Sequence, residues 1–356
     1  MTDHSPVLRD HGYHAIRIKE ILRETHDASS FVLDVPDELR ATFHYRPGQF
    51  CTFRVDVDGD GDAQLRSYSM SSTPGTDPDL TVTIKRVAGG LVSNWFLDHL
   101  GVGDVVDVTK PAGVFCPQDA PERPVLGLCG GSGITPVMSI VKHVLANTGR
   151  SIRLLYANRD RDSVIFGSVL EALAGGHPGR LEVRHHFDTG GGFLTTDGVA
   201  AFVGPNADNA DCYICGPGPF MDLVEPVLVD LGVAPDRIYV ERFLVEQQEK
   251  DAAAIAADGG GTDLPDEVTV ILEGKKAVVK YQPGDTLLET ARRGGLRPPF
   301  SCESGNCATC MAFLKEGSVT MRANNALTPE EVEEGWVLTC QSLPSGQTVT
   351  VEYEAM

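Results

Sequence analysis

The cysteines constrain this chain more than any other feature. Cys302, Cys307 and Cys310 follow the spacing C-x4-C-x2-C, and Cys340 comes after 29 intervening residues. Three thiols within nine positions need a compact loop that wraps whatever they hold, and the fold must bring the fourth back to it. The spacing is the plant-type [2Fe–2S] pattern, in which four thiolates hold two irons. Small residues at Ser304, Gly305, Ala308 and Thr309 let backbone amides approach the sulfurs, where hydrogen bonds tune the potential. A four-cysteine zinc site is the alternative, but it usually shows two separated C-x2-C pairs, and only one is present. Reduced structural cysteines are the third reading.

The remainder is large. A chain of 356 residues has room for two or three domains of about 100–200 residues. Hydrophobic residues at 42% and charged residues at 22% suit globular cores rather than disorder. Nine cysteines, an odd number, argue against a disulfide framework. The opening MTDHSPVLRD lacks a basic stretch followed by an apolar one, so no signal peptide is expected. No apolar run approaches the roughly 18 residues of a spanning helix. The expectation is a cytoplasmic protein without membrane insertion. The net charge of −20 is spread along the chain and would repel a phosphate backbone, so no nucleic-acid partner is expected.

The pattern along the chain changes twice. Between residues 13 and 110, short alternating strands such as His14–Ile18, Phe31–Val35, Phe50–Val55 and Leu80–Lys85 are punctuated by Pro47-Gly48, Asp58–Gly61, Thr73–Gly75 and Gly101–Gly103. This predicts an antiparallel β-barrel or sandwich. From Pro124 an apolar strand ending at Cys129 precedes a glycine-rich turn. A helical stretch follows, with Val137, Ile140, Val141, Val144 and Leu145 on one face. Later strands at Ile152–Tyr156 and Cys212–Cys215 and a helix at Met221–Leu231 predict an open parallel α/β sheet. Residues 246–266, polar, Ala-rich and then Gly259-Gly260-Gly261, read as a linker of about 20 flexible residues with a reach of roughly 25 Å. Strands at Val268–Leu272 and Lys276–Tyr281 and a helix at Leu287–Arg293 then lead into the cysteine loop. The division is residues 1–118, 119–245, the linker 246–266, and 267–356.

With SCESGNCATC and LTCQS, residues 267–356 resemble a plant-type ferredoxin domain, which implies an α+β β-grasp fold. Arg66-Ser67-Tyr68-Ser69, followed by Thr83-Ile84-Lys85 and Gly89-Gly90-Leu91-Val92-Ser93, resembles the flavin site of the ferredoxin–NADP reductase superfamily. The chemistry is consistent with that likeness. Tyr68 offers an aromatic platform, and Ser69 a hydrogen-bonding neighbour for the flavin N5. Arg66 supplies a cation for the pyrophosphate, and amides at Gly90–Ser93, opening a helix at Asn94–Phe96, supply donors.

Gly130-Gly131-Ser132-Gly133-Ile134-Thr135-Pro136 lies between a strand and a helix, where glycines let a pyrophosphate approach the amides. Thr135 is placed to cap that helix, and Pro136 suits its first turn. The glycine spacing departs from the Rossmann fingerprint, and no acidic residue follows about 20 positions on. The motif is instead similar to that of the reductase superfamily. At the end of the next strand, Asn158 and Arg159 face an adenosine ribose. Arg159 and Arg161 could hold a 2′-phosphate, but Asp160 and Asp162 alternate with them, which tilts the choice between NADH and NADPH slightly to NADH. Cys215-Gly216-Pro217-Gly218-Pro219-Phe220-Met221 resembles the superfamily's second nucleotide motif. The resemblance implies that Cys215 stands near the nicotinamide C4; a small buried cysteine is the ordinary alternative. Phe243 is either an aromatic cover for the flavin or plain core packing.

Taken in order, the motifs resemble the reductase component of a multicomponent oxygenase with its ferredoxin at the C-terminus. Ketosteroid 9α-hydroxylase reductases are most similar, then phenylacetyl-CoA epoxidase reductase subunits. The resemblance implies an electron path from NAD(P)H through FAD and [2Fe–2S] to a terminal oxygenase. The cofactors supply the chemistry, with Cys215 and Ser69 beside the reacting atoms and no acid, base or nucleophile required. The ten histidines, His185-His186 included, show no metal or nucleophile spacing. A flavin-free adaptor that only docks a partner, and an FMN-dependent dioxygenase reductase, are the rival readings.

Overall fold

The computed structural model describes residues 12–57, 59, 63–118, 123–205, 207–243, 264–300, 302–303, 305, 307–324 and 326–353. The predicted linker falls almost wholly outside them, as does Ser304. The described residues form two compact units. His14–Phe243 is one; residues from Leu264 onward, with Gly12 and Tyr13, make the other.

The larger unit has two lobes. The first is built from β1 (Tyr13–Arg23), β2 (Ala28–Asp34), β3 (Phe50–Val55), β4 (Gln64–Ser69), β5 (Leu80–Lys85) and β6 (Val105–Thr109), in the spatial order β4-β3-β6-β1-β2-β5. An antiparallel bridge from Met70 to Val82 joins the two ends of that order, so the sheet closes into the expected barrel. Alternation drives this arrangement. Ile16, Ile18, Phe31, Leu33, Phe53, Val82 and Ile84 point inward and are buried, while the residues between them, Arg17 and Thr83 among them, are mostly polar. α1 (Leu91–His99) packs Phe96 against Phe31 and Phe53 edge-on. It opens at Leu91, three residues before the expected start, because Gly90 already has the extended geometry of an N-cap.

The second lobe is an all-parallel sheet. Its elements are β7 (Val125–Gly130), α2 (Ile134–Asn147), β8 (Ile152–Asn158), α3 (Gly167–Gly176), β9 (Leu181–Phe187), α4 (Asp188–Gly191), α5 (Thr196–Val203), β10 (Asp211–Gly216), α6 (Gly218–Asp230) and β11 (Ile238–Arg242). The strands run β11-β10-β7-β8-β9. Every residue of β7 and β10 is buried, as central strands covered on both faces must be. Chain order reverses between β7 and β10. In open α/β sheets, ligands bind at that point, beyond the carboxyl ends of the strands.

The smaller unit pairs β12 (Glu267–Leu272), β13 (Lys275–Lys280), β14 (Met311–Glu316), β16 (Trp336–Leu338) and β18 (Val349–Glu352) in the order β13-β12-β18-β14-β16. Only β12 and β18 run parallel within it. β15 (Val319–Met321) and β17 (Ser342–Pro344) form a separate ribbon. Two helices complete it, α7 (Leu287–Arg293) and α8 (Pro329–Glu334). Each begins with a reciprocal capping box, Thr286 with Glu289 and Thr328 with Glu331. Leu287 and Ala291 of α7 are fully buried against Val268, Val270 and Val351 of the sheet.

Candidate functional site

The two glycine motifs of the parallel lobe, 85 residues apart, meet at the switch point. Gly131–Gly133 follows β7 and Pro217–Pro219 follows β10. They pack backbone on backbone. A Cβ on Gly133 would overlap the Cys215 carbonyl, and one on Gly216 would stand 3.0 Å from the Gly130 nitrogen. Glycine is therefore required for the approach of the two loops to each other as well as to a ligand. α2 begins from Gly133, not Thr135: the Thr135 hydroxyl lies inside the first turn and donates to the Ser132 carbonyl at 3.0 Å. From the next strand, the Tyr156 hydroxyl, wholly buried, donates to the Gly131 carbonyl at 3.1 Å and braces a residue whose φ is +52°.

Beyond these loops opens a cleft of about 680 Å³. Gly130, Gly131, Asn158, Arg159 and Pro217, all expected nucleotide residues, line it. Asn158 is 4% exposed, yet neither its amide oxygen nor its nitrogen has a hydrogen-bond partner among the described residues. A buried amide on a cleft wall, beside the Tyr156 hydroxyl but without a well-formed hydrogen bond, costs roughly 1–3 kcal/mol unless water or a ligand completes it. This is the observation that fits a nicotinamide nucleotide to the cleft. Arg159 is already engaged. It donates to Asp160 at 2.9 Å and to Ser163 at 3.0 Å, and Ser163 and Arg159 together hold the Asp160 carboxyl down, to about 2.

Lys85 lines the same cleft, with its ammonium nitrogen 3.7 Å from where a Gly131 Cβ would be. The likeness assigns Lys85 to the flavin; its side chain faces the nucleotide cleft instead. The alternation of β5 explains the difference, since Ile84 points into the barrel core and Lys85 away from it. Cys215 has the burial of the ordinary alternative, a small core cysteine. It lies in the core with no exposure, in register with Cys129 of β7, and burial pushes its thiol well above the ordinary range. Its carbonyl packs against Gly133 of the nucleotide loop. Sequence reasoning missed the cleft residues Asp188 and Phe193. Phe193 is 82% exposed after Gly190-Gly191-Gly192, and an aromatic stranded in a glycine run was the signal available.

On the barrel, Tyr68 packs its edge against Phe53 and Phe96, which fixes the ring beside α1. Arg66 shares that face of β4, two residues earlier. α1 presents its first-turn amides with no side-chain cap at Gly90, while the Ser93 hydroxyl accepts from the Val87 amide at 3.2 Å. A helix start entered through an extended glycine, on the lobe that also carries Arg66 and Tyr68, suits the pyrophosphate of FAD. Ser69 is nearly buried at the end of β4. Other expected contact residues bond or pack within the barrel lobe itself. Thr83 bonds Ser30 at 2.7 Å and Ser71 at 2.8 Å, Ser67 bonds Thr52 at 2.9 Å, and Ile84 and Val92 are core. These side chains build the barrel that carries the site. Gly89, at φ +74°, makes the turn into α1. Phe243 is partly buried against the core of the parallel lobe.

In the smaller unit all four cysteines are buried. Their thiols adjoin one another in one group: Cys302 neighbours Cys307 and Cys340, and Cys340 also neighbours Cys310. No three His, Cys, Asp or Glu groups among the described residues converge on one ion position. Four adjoining buried thiols are the donor set a [2Fe–2S] cluster requires. The loop reaches this shape through left-handed backbone at Glu303, Gly305 and Ala308. A side chain at Gly305 would press within 2.8 Å of the Ala323 carbonyl. Arg292 anchors the loop by a two-point pair to Glu303, at 2.9 and 3.2 Å, while lying 3.6 Å over the Phe300 ring.

Comparison with known proteins agrees with this geometry. Residues 15–116 match the oxidoreductase FAD-binding domain, 128–225 the oxidoreductase NAD-binding domain, and 270–345 the 2Fe-2S iron-sulfur cluster binding domain. The chain is 40% identical over 343 residues to the ferredoxin reductase component of 3-ketosteroid-9-alpha-monooxygenase from Mycolicibacterium smegmatis, covering 95% of this chain and 96% of that one. It is 31% identical to a subunit of the 1,2-phenylacetyl-CoA epoxidase of Escherichia coli, over 96% and 98% of the two chains. Among solved structures, phthalate dioxygenase reductase superposes with a TM-score of 0.59 at 24% identity, covering 96% of this chain and 98% of that one, and shares the fold. Three domain families in the same order, and relatives matched along nearly their whole length, place this chain in the family of oxygenase reductase components that bind FAD, NAD and a [2Fe–2S] cluster.

Proposed function

We propose that this reductase takes its electrons from NADH in preference to NADPH and delivers them to the terminal oxygenase of a steroid 9α-hydroxylation. The observation that carries the steroid assignment is the 40% identity to 3-ketosteroid-9-alpha-monooxygenase reductase components, against 31% for the epoxidase relative. The cofactor preference is supported by the cleft. Asp188 places a carboxylate on its wall, and Arg159, the one expected phosphate ligand there, is held by Asp160 and Ser163. A 2′-phosphate there would meet the like charge of Asp188 beside an Arg159 already paired with Asp160.

Gly131, Gly133 and Asn158 would bind the nucleotide, Lys85 would offset its pyrophosphate charge, and Arg66, Tyr68, Ser69 and the first-turn amides of α1 would hold FAD. Cys302, Cys307, Cys310 and Cys340 would hold the cluster, and bound FAD would supply the exchange between an electron pair and single electrons. We place the protein in the cytoplasm, in keeping with its acidic, evenly charged sequence; no helix among the described residues is long and apolar enough to cross a membrane. The test is reconstitution. Purified reductase with NADH should support hydroxylation of a 3-ketosteroid by a steroid 9α-oxygenase. Turnover only with a phenylacetyl-CoA epoxidase would move the assignment to that system. An equal kcat/KM for NADH and NADPH would remove the nucleotide preference.

A further inference from the structure

The barrel segment that follows the flavin strand and the helix that follows the nucleotide loop are joined by a buried, reciprocal pair of hydroxyl contacts. The Thr73 hydroxyl donates to the Ser139 carbonyl at 2.7 Å, and the Ser139 hydroxyl donates to the Ser72 carbonyl at 2.5 Å. Both side chains have no exposure. Around them the network closes. Asp77 accepts from the Thr73 amide at 2.7 Å and pairs with Lys142, one helical turn beyond Ser139, at 3.1 Å. Lys142 also reaches the Ser71 carbonyl at 3.4 Å. On the barrel side, the Ser72 hydroxyl is fixed by Tyr45 at 2.6 Å and by the Thr81 amide at 2.8 Å.

The position of this joint in the chain gives it meaning. Thr73 lies four residues beyond Ser69, and Ser139 four residues beyond Thr135. Each partner is rigidly connected to one cofactor motif, Thr73 through the Met70–Val82 bridge and Ser139 through α2. Nothing in the joint touches the cleft itself. We infer that Thr73 and Ser139 are positioning residues that set the separation of nicotinamide and flavin, so that they govern the rate of hydride transfer without binding either cofactor. The physical ground is the steep distance requirement of the step. Reacting atoms must stand about 3–3.5 Å apart, and a misplacement of about 1 Å costs on the order of a hundredfold. This inference rests on reading residues 66–69 as the flavin strand and 130–135 as the nucleotide loop.

Thr73→Val, Thr73→Ser and Ser139→Ala separate the possibilities, each measured in the full-length holoprotein. Four quantities are read: FAD content, NADH dissociation constant, limiting rate of flavin reduction in anaerobic stopped flow, and charge-transfer absorbance of the nicotinamide–flavin pair. Thr73→Val keeps shape and removes the hydroxyl. It should retain FAD and bind NADH within twofold of wild type, yet reduce flavin at least tenfold more slowly with weaker charge-transfer absorbance. Thr73→Ser, which keeps the hydroxyl, should return the rate to within threefold. Ser139→Ala, a favourable helix substitution, should reproduce the Thr73→Val defect and serves if that variant folds poorly. A wild-type limiting rate in both hydroxyl-deleted variants, or a Thr73→Ser rate as low as that of Thr73→Val, would overturn the inference. NADH that fails to reduce the flavin in the wild-type protein would instead overturn the reading of the two motifs on which it rests.

Discussion

The smaller unit and the parallel lobe of the larger unit build their sites by opposite means. In the smaller unit the functional groups are four side chains, three of them within one loop, and removing one removes the site. In the parallel lobe the groups are mostly backbone, contributed by loops 85 residues apart, and the glycines act by what they lack. A side-chain site announces itself as spacing in the sequence. A backbone site is visible only as permission for close approach, and the residues that complete it come from wherever the topology delivers them.

The largest effect should come from the side-chain site. Cys307→Ser removes one thiol of the Cys302–Cys307 pair and should empty or destabilise the cluster. The larger unit has its own cores and its own cofactor motifs, so it should fold and keep flavin. NADH-dependent reduction of ferricyanide should therefore persist, while reduction of cytochrome c or of the oxygenase should collapse. Parallel assays on one preparation, after a check of flavin content, decide this. Loss of both activities would show that the two regions are not separable, and loss of neither would take the cluster off the path.

The corresponding break in the backbone site is Gly133→Ala. One methyl there overlaps the Cys215 carbonyl, and backbone on both sides leaves little room to give. Overpacking of this kind costs about 1–3 kcal/mol, and we expect the upper end of that range. Because the strain falls where the two loops meet, NADH affinity should drop by about a hundredfold, with the cluster's visible spectrum unchanged. An NADH dissociation constant within threefold of wild type would mean the loops do not need their close contact.

The two regions also differ in how much the sequence revealed. The gathering of the four cysteines, the closed barrel, the parallel sheet and the span of α7 were all legible, because spacing and hydrophobic period encode them directly. The nucleotide cleft was half legible. Gly130, Gly131, Asn158, Arg159 and Pro217 stand in motifs, but Asp188 and Phe193 come from the turn after β9, where a lone carboxylate or aromatic carries no pattern. Lys85 was read as part of a contiguous motif, although the two-residue period of β5 separates its side chain from that of Ile84. Thr135 has the right chemistry for a cap, but Gly133 and Ser132 had already turned the chain into the helix.

A third prediction probes the barrel, whose flavin site combines both means. Arg66→Ala removes a guanidinium but leaves the α1 amides in place. A charge-assisted contact contributes about 1.5–3 kcal/mol, so FAD should bind on the order of ten- to a hundredfold more weakly. The apoprotein titrated with FAD measures this directly. Unchanged affinity would give the pyrophosphate to the helix alone and make this site resemble the nucleotide loops more than the cluster.

The smallest effect should be at Cys215, where the comparison is sharpest because a side chain and a backbone group of one residue can be told apart. The likeness to the reductase superfamily gives the thiol a place beside the reacting carbon. The fold gives the carbonyl a place against Gly133 and leaves the thiol in the core beside Cys129, without exposure and without a position on the cleft wall. Cys215→Ala deletes the sulfur and keeps the carbonyl. If the backbone is what matters, the loops remain joined and NADH affinity stays within twofold. Flavin reduction should then slow by no more than about fivefold, through the small cavity left under the loop, and stability should fall by roughly 1 kcal/mol. Anaerobic stopped-flow reduction across a range of NADH concentrations yields both quantities in one experiment. A drop of a hundredfold in the limiting rate with affinity intact would restore the thiol to the reacting centre, and would mean that bound cofactors bring the reacting carbon to a sulfur that the fold alone keeps covered.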